Sequence, residues 1–243
     1  MNYAMILAAG VGQRMRNGGL PKQFLRLMGK PIIVYTLEKF EQCEDIDEII
    51  IVSHASYVDL MKNIIVSSDI SKAKRGIVGG YDRQSSLEKG LNVLGQMNAK
   101  DDDIVVIHDG VRPIVSQRSI RENIRVAKQY GCAMTVRPVT ESVVITDKDY
   151  VNLDDLKKRN DTYSLTSPQS FLIKTIKESY QNKKNEQNGK LPLLDAGMIC
   201  AAAGNDIYLV MEQDANIKIT TPEDYYFLKA ILEMEENKSV FGL

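Results

Sequence analysis

The segment at residues 4–24, AMILAAGVGQRMRNGGLPKQF, joins a loop of small residues to a group of cations. The loop residues that could approach a ligand closely are Ala8, Ala9, Gly10 and Gly12. Backbone N–H groups in such a loop can contact phosphate oxygens, and Arg14 and Lys22 follow in a stretch without acidic residues. Backbone donors and cations together predict a triphosphate site. A tight strand-to-helix turn with solvated cations is the alternative.

The loop matches neither of the common phosphate-binding fingerprints. A dinucleotide fingerprint needs a third glycine, where Met15 stands, and an acidic residue about 20 positions later. The acidic residues nearest that spacing, Glu38 and Glu41, come later and are typical of a helix surface. No segment reads G-x-x-x-x-G-K-[ST]. A nicotinamide oxidoreductase is therefore a weak alternative.

A second candidate group lies in VIHDGVRP, residues 106–113. Asp109 follows a buried apolar run and could hold Mg²⁺, which binds through one or two carboxylates together with phosphates. Arg112 could face a phosphate or pair with Asp109, and an Asp-Gly turn with a structural ion pair is the alternative. His108 is expected to pack in the strand rather than act as a base.

Two further segments could complete a nucleotide site. In GGYDRQSSLEKGL, residues 79–91, Gly80 permits close backbone approach and Ser85 or Ser86 is expected to begin a helix. Backbone groups at such a turn can read a base edge, although a plain loop with a helix cap is the alternative. In NIKIT, residues 216–220, Lys218 becomes a phosphate ligand only in combination with the other motifs.

These residues must be positioned by alternating strands and helices. Apolar runs predict strands at Ala4–Leu7, Glu48–Ser53, Arg75–Val78, Ile104–His108, Ala133–Pro138 and Ile207–Val210. Helical patterns lie at Ile32–Glu41, Tyr57–Val66, Gln84–Leu94, Ser119–Tyr130 and from Pro222 onward. The alternation predicts an α/β fold with a doubly wound, mostly parallel Rossmann-like sheet. Ligands of such sheets bind at the carboxyl ends of the strands, where the candidate residues fall.

The alternation fails between Val139 and Phe171. The segment VTESVVITDKDYVNLDD predicts a strand, a turn at residues 147–149 and a returning strand. An isolated hairpin is marginally stable in water, so this arm is expected to pack on a second copy of the chain. We therefore expect a single domain over residues 1–243, with a dimerisation arm at about 139–166.

Composition narrows the class of protein. The chain has 243 residues, 44% of them hydrophobic and 26% charged, with a formal net charge of −1. That charge gives no general attraction to nucleic acid or to anionic membranes, and no apolar run approaches the length of a membrane span. Three cysteines without a C-x-x-C spacing indicate reduced thiols. We expect a cytoplasmic protein with neither a nucleic-acid nor a membrane partner.

Six segments occur in an order that resembles the CTP-dependent sugar-alcohol phosphate cytidylyltransferases. They are LAAGVGQRM, PKQFLRLMGKPIIVYTLEKF, GGYDRQSSLEKGL, HDGVRP, TSPQSF and NIKITTPED, and the resemblance spans nearly the whole chain. It implies transfer of CMP from CTP to a polyol phosphate, with release of pyrophosphate and a requirement for Mg²⁺ or another divalent cation. The implied partners are CTP, the polyol phosphate and a second copy of the chain.

The resemblance also implies a role for each matched residue. Catalytic roles fall on Arg14, Lys22 and Lys218. CTP-binding roles fall on Ala8, Ala9, Gly10, Gly12, Gly80, Ser86, Asp109 and Arg112, and the metal role falls on Asp109. Acceptor binding falls on Ser142 and Arg159 of the arm, which would reach into the partner's site.

Departures from the family pattern concern the acceptor. The arm has Glu141-Ser142 and the segment TSPQSF has Ser167, where the methylerythritol branch usually has Asp-Thr and Thr. The segment LLDAG keeps only Asp195 and Ala196 of that branch's usual T-D-D-A-S, whereas LAAG resembles that branch. We expect 2-C-methyl-D-erythritol 4-phosphate as the acceptor, for isoprenoid synthesis. The alternative is D-ribitol 5-phosphate or a related polyol phosphate, for teichoic acid or capsule synthesis.

Overall fold

The computed structural model describes residues 1–10, 20–183 and 195–241. The strands are β1 (Asn2–Ala8), β2 (Arg26–Leu27), β3 (Lys30–Pro31), β4 (Glu48–Ser53), β5 (Ala73–Val78), β6 (Ile104–Asp109), β7 (Cys132–Pro138), β8 (Tyr163–Leu172) and β9 (Tyr208–Met211). The helices are α1 (Ile32–Glu41), α2 (Val58–Ser67), α3 (Arg83–Gln96), α4 (Gln117–Tyr130), α5 (Ile173–Lys183), α6 (Ala196–Ala202) and α7 (Pro222–Phe241). None of these helices is long and apolar enough to cross a membrane.

Seven strands form one mixed sheet in the order β5-β4-β1-β6-β8-β7-β9, and β2 pairs with β3 in a separate small hairpin. The pairs β5-β4, β4-β1, β1-β6 and β7-β9 are parallel, whereas β8 runs antiparallel to both β6 and β7. Because β4 and β6 lie on opposite sides of β1, the chain changes direction across the sheet at β1. That switch opens a crevice at the carboxyl ends of β1 and β6.

Helices cover both faces of the sheet, which confirms the doubly wound prediction. Ala4, Ile6 and Ala8 of β1 pack on one side with residues of α1, α2 and α4. Tyr3 and Met5 of the same strand pack on the other side with residues of α3, α5 and α6. Since both faces are buried, β1 is apolar at successive positions rather than alternating with polar ones.

Strand β8 was not among the predicted strands. Its sequence, YSLTSPQSFL, is polar and contains a proline, and both features argue against a central strand. The structure accommodates Pro168 at an irregularity, because the β7–β8 register shifts between Met134 and Val136. The hydroxyl of Thr135 donates to the carbonyl oxygen of Pro168 at 2.6 Å across that irregularity.

The predicted arm is present as a protruding segment but not as a regular hairpin. Between β7 and β8, the two limbs are joined at one bridge, Val144 to Leu156, flanked by two backbone hydrogen bonds. Short 3-10 helices at Leu153–Asp155 and Arg159–Asp161 replace the returning strand. Among the described residues, apolar side chains of the limbs such as Ile145 and Leu153 stay exposed, and a two-stranded hairpin without such burial is marginally stable.

Candidate active site

A cleft of about 510 Å³ opens at the carboxyl edge of the sheet. Its lining comes from the ends of β1, β4 and β6, the β5–α3 loop and the segment before α7. The lining residues are Leu7, Ala8, Ala9, Gly10, Lys22, Gln23, His54, Gly80, Tyr81, Asp82, Arg83, Ser86, Asp109, Val111, Lys218 and Thr220. Four separate sequence motifs therefore converge on one cleft, as the parallel-sheet prediction requires.

The first loop is anchored by a glutamine that the sequence analysis did not single out. The buried amide of Gln23 donates to the carbonyl oxygens of Ala8 at 2.8 Å and Gly10 at 3.0 Å. These bonds hold the backbone of the first loop in place, and Lys22 beside Gln23 lines the cleft. The predicted residues Gly12 and Arg14 lie outside the residues that the structure describes.

The β5–α3 loop approaches the first loop closely because of two glycines. A Cβ atom on Gly79 would lie 2.6 Å from the Cβ of Ala9 and 2.8 Å from Oγ of Ser86. The N–H of Gly80 donates to Oγ of Ser86 at 3.0 Å. Ser86 thus shapes the loop, but the expectation that Ser85 or Ser86 begins the helix was wrong. Asp82 is the N-cap, and Ser85 completes a capping box with it.

Asp109 is the electrostatic centre of the cleft. One of its oxygens pairs with Arg83, and the other lies 3.2 Å from Nε of Arg112 and 3.0 Å from Nζ of Lys218. Burial raises the pKa of Asp109, but the three cations lower it further, so its pKa lies well below the ordinary value. The carboxylate is therefore ionised at neutral pH and holds the surrounding cations in place.

Arg83 is the cleft residue that the motif analysis missed. Its guanidinium lines the cleft and pairs with Asp109, and although burial lowers its pKa, Asp109 raises it above the ordinary value. The available sequence signal was its place at the first position of α3, directly after the glycine turn. A cation there faces the carboxyl end of β6, but only the three-dimensional structure shows that pairing.

His108 serves a structural role, as expected. Burial lowers the pKa of its imidazole to about 4, so the ring is neutral at physiological pH. Its Nε2 lies 3.1 Å from the carbonyl oxygen of Arg112, and its Nδ1 lies 3.0 Å from Oγ of Ser167. The ring therefore links the end of β6, the loop that follows it and strand β8.

Three predicted residues do not line the cleft of this chain. Arg112 lies behind Asp109, where it also donates to the carbonyl oxygen of Asn216 at 2.9 Å. Ser142 and Arg159 are exposed on the arm, outside the cleft lining. Their predicted contact with an acceptor thus depends on a second copy of the chain.

The segment LLDAG, which departs from the methylerythritol pattern, leads into helix α6. Asp195 caps α6 by accepting from the N–H of Met198 at 3.0 Å. A Cβ on Gly197 would lie 1.7 Å from Cε of Met134, so no larger residue fits while Met134 keeps its position. A larger residue here therefore requires the flexible end of the Met134 side chain to move. Residues 191–194 of this region lie outside the described part of the chain.

The donors in the cleft fit a divalent cation that arrives with a nucleotide. The described residues contain no group of three or more His, Cys, Asp or Glu that could hold a metal alone. Asp109 is a single ionised carboxylate at the ligand edge of the sheet, and Mg²⁺ is commonly held by one or two carboxylates plus substrate phosphates. For Asp109 to bind such a cation, Arg83 and Lys218, which pair with its carboxylate, must turn toward the phosphates of the nucleotide.

Comparison with known proteins gives one consistent family. The family model described as IspD, 2-C-methyl-D-erythritol 4-phosphate cytidylyltransferase, matches residues 3–234. A ribitol-5-phosphate cytidylyltransferase from Vibrio parahaemolyticus is 37% identical over 242 residues and covers 100% of both chains. Another from Streptococcus agalactiae is 35% identical over 243 residues, again covering 100% of both chains.

Solved structures agree with the fold. The 4-diphosphocytidyl-2C-methyl-D-erythritol synthase of Anaerococcus prevotii has a TM-score of 0.79 at 26% identity, covering 96% of this chain and 98% of its own. The 2-C-methyl-D-erythritol 4-phosphate cytidylyltransferase of Francisella tularensis has a TM-score of 0.74 at 26% identity, covering 93% and 97%. The family model, the full-length sequence similarity and the shared fold lead to one conclusion: the chain is a cytidylyltransferase and belongs to the IspD family.

Proposed function

We propose that the enzyme transfers CMP from CTP to D-ribitol 5-phosphate, giving CDP-ribitol and pyrophosphate. The observation that carries this choice of acceptor is the similarity over the full chain to proteins named ribitol-5-phosphate cytidylyltransferases, at 35% to 37% identity. The two solved structures described above, from the methylerythritol branch, are each 26% identical to this chain. This revises the sequence-based order of acceptors, which placed 2-C-methyl-D-erythritol 4-phosphate first.

Residue departures support the same revision. The positions at which the sequence leaves the methylerythritol pattern, including Ser142, Ser167 and Gly197, concern the acceptor side. Gly197 leaves room for the end of the Met134 side chain. We propose that CDP-ribitol serves teichoic acid or capsule synthesis and that the enzyme acts in the cytoplasm.

The proposed reaction is an in-line displacement at the α-phosphorus of CTP. A phosphate oxygen of the acceptor forms the new P–O bond while the bond from the α-phosphorus to the bridging oxygen breaks, and pyrophosphate leaves with that electron pair. Since the acceptor phosphate is already an anion, no general base is needed. Catalysis then depends on alignment and on neutralising charge in the transition state.

The cleft supplies what such a displacement needs. We assign the nucleoside and phosphates to the first loop, residues 8–12, and the base edge to Gly80 and Ser86. Lys22 and Lys218 enter the cleft from different segments and can neutralise the triphosphate, together with the predicted Arg14. Arg112 acts on the nucleotide through Asp109 and the adjoining backbone.

Asp109 is the residue that would hold Mg²⁺, which would shield the phosphate charge and help to orient the triphosphate. Lys218 and Arg83 pair with the Asp109 carboxylate. We propose that these cations turn toward the phosphates when CTP enters, because an anion of higher charge then competes for them.

We propose that the whole chain acts as one catalytic unit and that its arm, residues 139–166, crosses to a second copy. Large apolar side chains on the arm are exposed, among them Ile145 at 65% and Leu153 at 83%. Several exposed apolar side chains on one segment are typical of a protein–protein interface. Ser142 and Arg159 on the same segment would then bind the acceptor phosphate in the partner's cleft.

The experiment that tests the acceptor is pyrophosphate release with CTP, Mg²⁺ and a panel of polyol phosphates. We expect kcat/KM for D-ribitol 5-phosphate to exceed that for 2-C-methyl-D-erythritol 4-phosphate. A preference for the methylerythritol substrate would overturn the acceptor assignment. No release with any polyol phosphate would overturn the proposed function.

A further inference from the structure

A buried polar cluster lies behind the cleft and outside its lining. Its members are Glu212, Asn216, Ser167 and Ser119, from the end of β9, the segment after it, β8 and α4. Asn216 has no exposed surface, and Glu212 is 7% exposed. Burying an amide and a carboxylate costs free energy unless their hydrogen bonds are made, so the cluster must contribute something that an apolar core would not.

The bonds within the cluster fix the orientation of the Asn216 amide. Its Nδ2 donates to the backbone oxygen of Ser167 at 2.7 Å and to Oε2 of Glu212 at 2.6 Å. Because both partners are acceptors, the amide nitrogen and not the amide oxygen must face them. Asn216 also has φ of +25°, a conformation that asparagine tolerates better than most residues.

Glu212 is held as an acceptor of four hydrogen bonds. Besides Asn216, its carboxylate accepts from the hydroxyl of Ser119 at 3.3 Å and from the N–H groups of Gln213 at 3.1 Å and Asp214 at 3.2 Å. Its own N–H is tied to the carbonyl oxygen of Val136 at 2.8 Å. The carboxylate thus fixes the turn that leads from β9 to the segment carrying Lys218.

That segment is held at both ends as it passes the cleft. Arg137 donates to the carbonyl oxygen of Ala215 at 2.7 Å. The N–H of Ile219 donates to the carbonyl oxygen of Val111 at 2.9 Å. Between them, the carbonyl oxygen of Asn216 accepts from Arg112 at 2.9 Å. Lys218 is two residues further along, and its Nζ lies 3.0 Å from Asp109.

We propose that Glu212 and Asn216 are positioning residues of the triphosphate site. They hold the backbone of residues 215–219, so that Lys218 and Arg112 stand at fixed distances from Asp109. Neither side chain lines the cleft, so they act through the cations and not on substrate. The measurement of kcat rests on the proposed function, because it uses D-ribitol 5-phosphate as the acceptor. The measurement of CTP affinity does not depend on the acceptor.

The test exchanges donors and acceptors in this pair. Both carboxylate oxygens of Glu212 accept hydrogen bonds, so the NH2 group of Glu212→Gln meets a donor in either orientation of the amide. Asn216→Asp places two acceptors against each other. The double variant Glu212→Gln/Asn216→Asp restores one donor–acceptor pair, from Gln at 212 to Asp at 216. Asn216→Gly deletes the amide while tolerating the positive φ, and it serves if Asn216→Asp does not fold.

Asn205 offers a matched control remote from the cleft. Its Nδ2 also donates to two acceptors, Oγ of Ser179 and the carbonyl oxygen of Cys200, each at 3.1 Å. Asn205→Asp therefore makes the same chemical change at a half-buried site. If the Asn216 amide matters only for stability, Asn216→Asp should, like this control, leave CTP binding unchanged.

CTP affinity by calorimetry and kcat with D-ribitol 5-phosphate are measured for each folded variant, with the melting temperature alongside. We expect each single change in the pair to weaken CTP binding and lower kcat by about tenfold or more, since small misplacements of reacting groups are costly. The double variant should recover part of both losses, and Asn205→Asp should change only the melting temperature. The proposal is overturned if Glu212→Gln and Asn216→Gly bind CTP as tightly as the wild type. If the wild type binds CTP but shows no turnover, the proposed function fails while the affinities still test the positioning role.

Discussion

At the scale of single residues, the site is organised by one carboxylate and the cations around it. Asp109 accepts from Arg83 at one oxygen and from Arg112 and Lys218 at the other. Sequence motifs identified Asp109, Arg112 and Lys218, because each lies in a segment with a chemical signature. Arg83 carried no such signature, since its role depends on the distance between α3 and β6 in the folded chain.

Arg83→Gln should lower kcat/KM for CTP by about tenfold or more, as the loss of a charged group from such a site does. With Arg83 gone, Asp109 relies on Lys218 and Arg112, so Lys218 is less available to the triphosphate. The measurement is steady-state pyrophosphate release at varied CTP. Arg75→Gln is the control, because Arg75 lies on β5 with a half-exposed side chain 4.0 Å from Glu48. Equal activity in Arg83→Gln and the wild type would contradict the role of Arg83.

His108 should make stability depend on pH in a defined window. Burial lowers its pKa to about 4 in the folded chain, with smaller effects from Asp109, Arg112 and Arg83. Between the ordinary value near 6.5 and that lowered value, the unfolded chain binds more protons, so stability falls as pH falls. From pH 7 to pH 5, this group should remove about 2 kcal/mol of unfolding free energy.

Urea unfolding of the wild type and of His108→Gln at both pH values measures that contribution. Asp109 does not obscure it, because a carboxylate with a lowered pKa loses its stabilising effect below its ordinary pKa, near 4. The wild type should lose more stability than the variant between pH 7 and pH 5. Identical losses in both proteins would show that His108 does not titrate as described.

At the scale of elements, the strands that carry the nucleotide motifs were predictable and the antiparallel strand was not. β1, β4 and β6 form apolar runs because both of their faces are buried. β8 is polar and holds Pro168, and it is a strand only because β6 and β7 supply partners on either side. The arm is not a regular hairpin, and in the part of the chain that the structure describes its apolar side chains remain exposed.

The contact of the β5–α3 loop with the first loop gives a prediction at this scale. Gly79→Ala should weaken CTP binding by about tenfold or more, because a Cβ there would press on Ala9 and Ser86 and displace the loop. Gly95→Ala is the control, since a Cβ at Gly95, in the last turn of α3, meets no atom within 4 Å. It should stabilise the helix by about 1 kcal/mol and leave binding unchanged. Calorimetry with CTP and thermal unfolding distinguish the two, and unchanged affinity in Gly79→Ala would contradict the loop contact.

At the scale of the whole molecule, the cleft brings together residues that are predicted to bind the nucleotide, whereas the predicted acceptor residues Ser142 and Arg159 lie on the exposed arm. A single chain therefore does not bring the two groups together. That several motif residues share one cleft could be predicted from the sequence, because the ends of parallel strands meet at one edge of the sheet. The acceptor could not be assigned to a branch from motifs alone, because the departures from the family pattern are few.

Mixing two inactive variants tests whether the arm completes a partner's site. Arg14→Ala impairs the predicted nucleotide side and Arg159→Ala the predicted acceptor side, so each homodimer should have low activity. A heterodimer has one cleft with both residues intact, and subunit exchange should restore up to about half of the wild-type activity per mixed dimer. Sedimentation must first show a dimer and verified exchange. No recovery in exchanged dimers would contradict a site shared between two copies.

The most direct test of the acceptor assignment is a competition in a single reaction. CTP, Mg²⁺ and equal amounts of D-ribitol 5-phosphate and 2-C-methyl-D-erythritol 4-phosphate are incubated with the enzyme, and ³¹P NMR follows both CDP-alcohols and pyrophosphate. We predict that CDP-ribitol forms first, with one pyrophosphate for each molecule of product. Formation of the methylerythritol product in preference, or of neither product, would contradict the account.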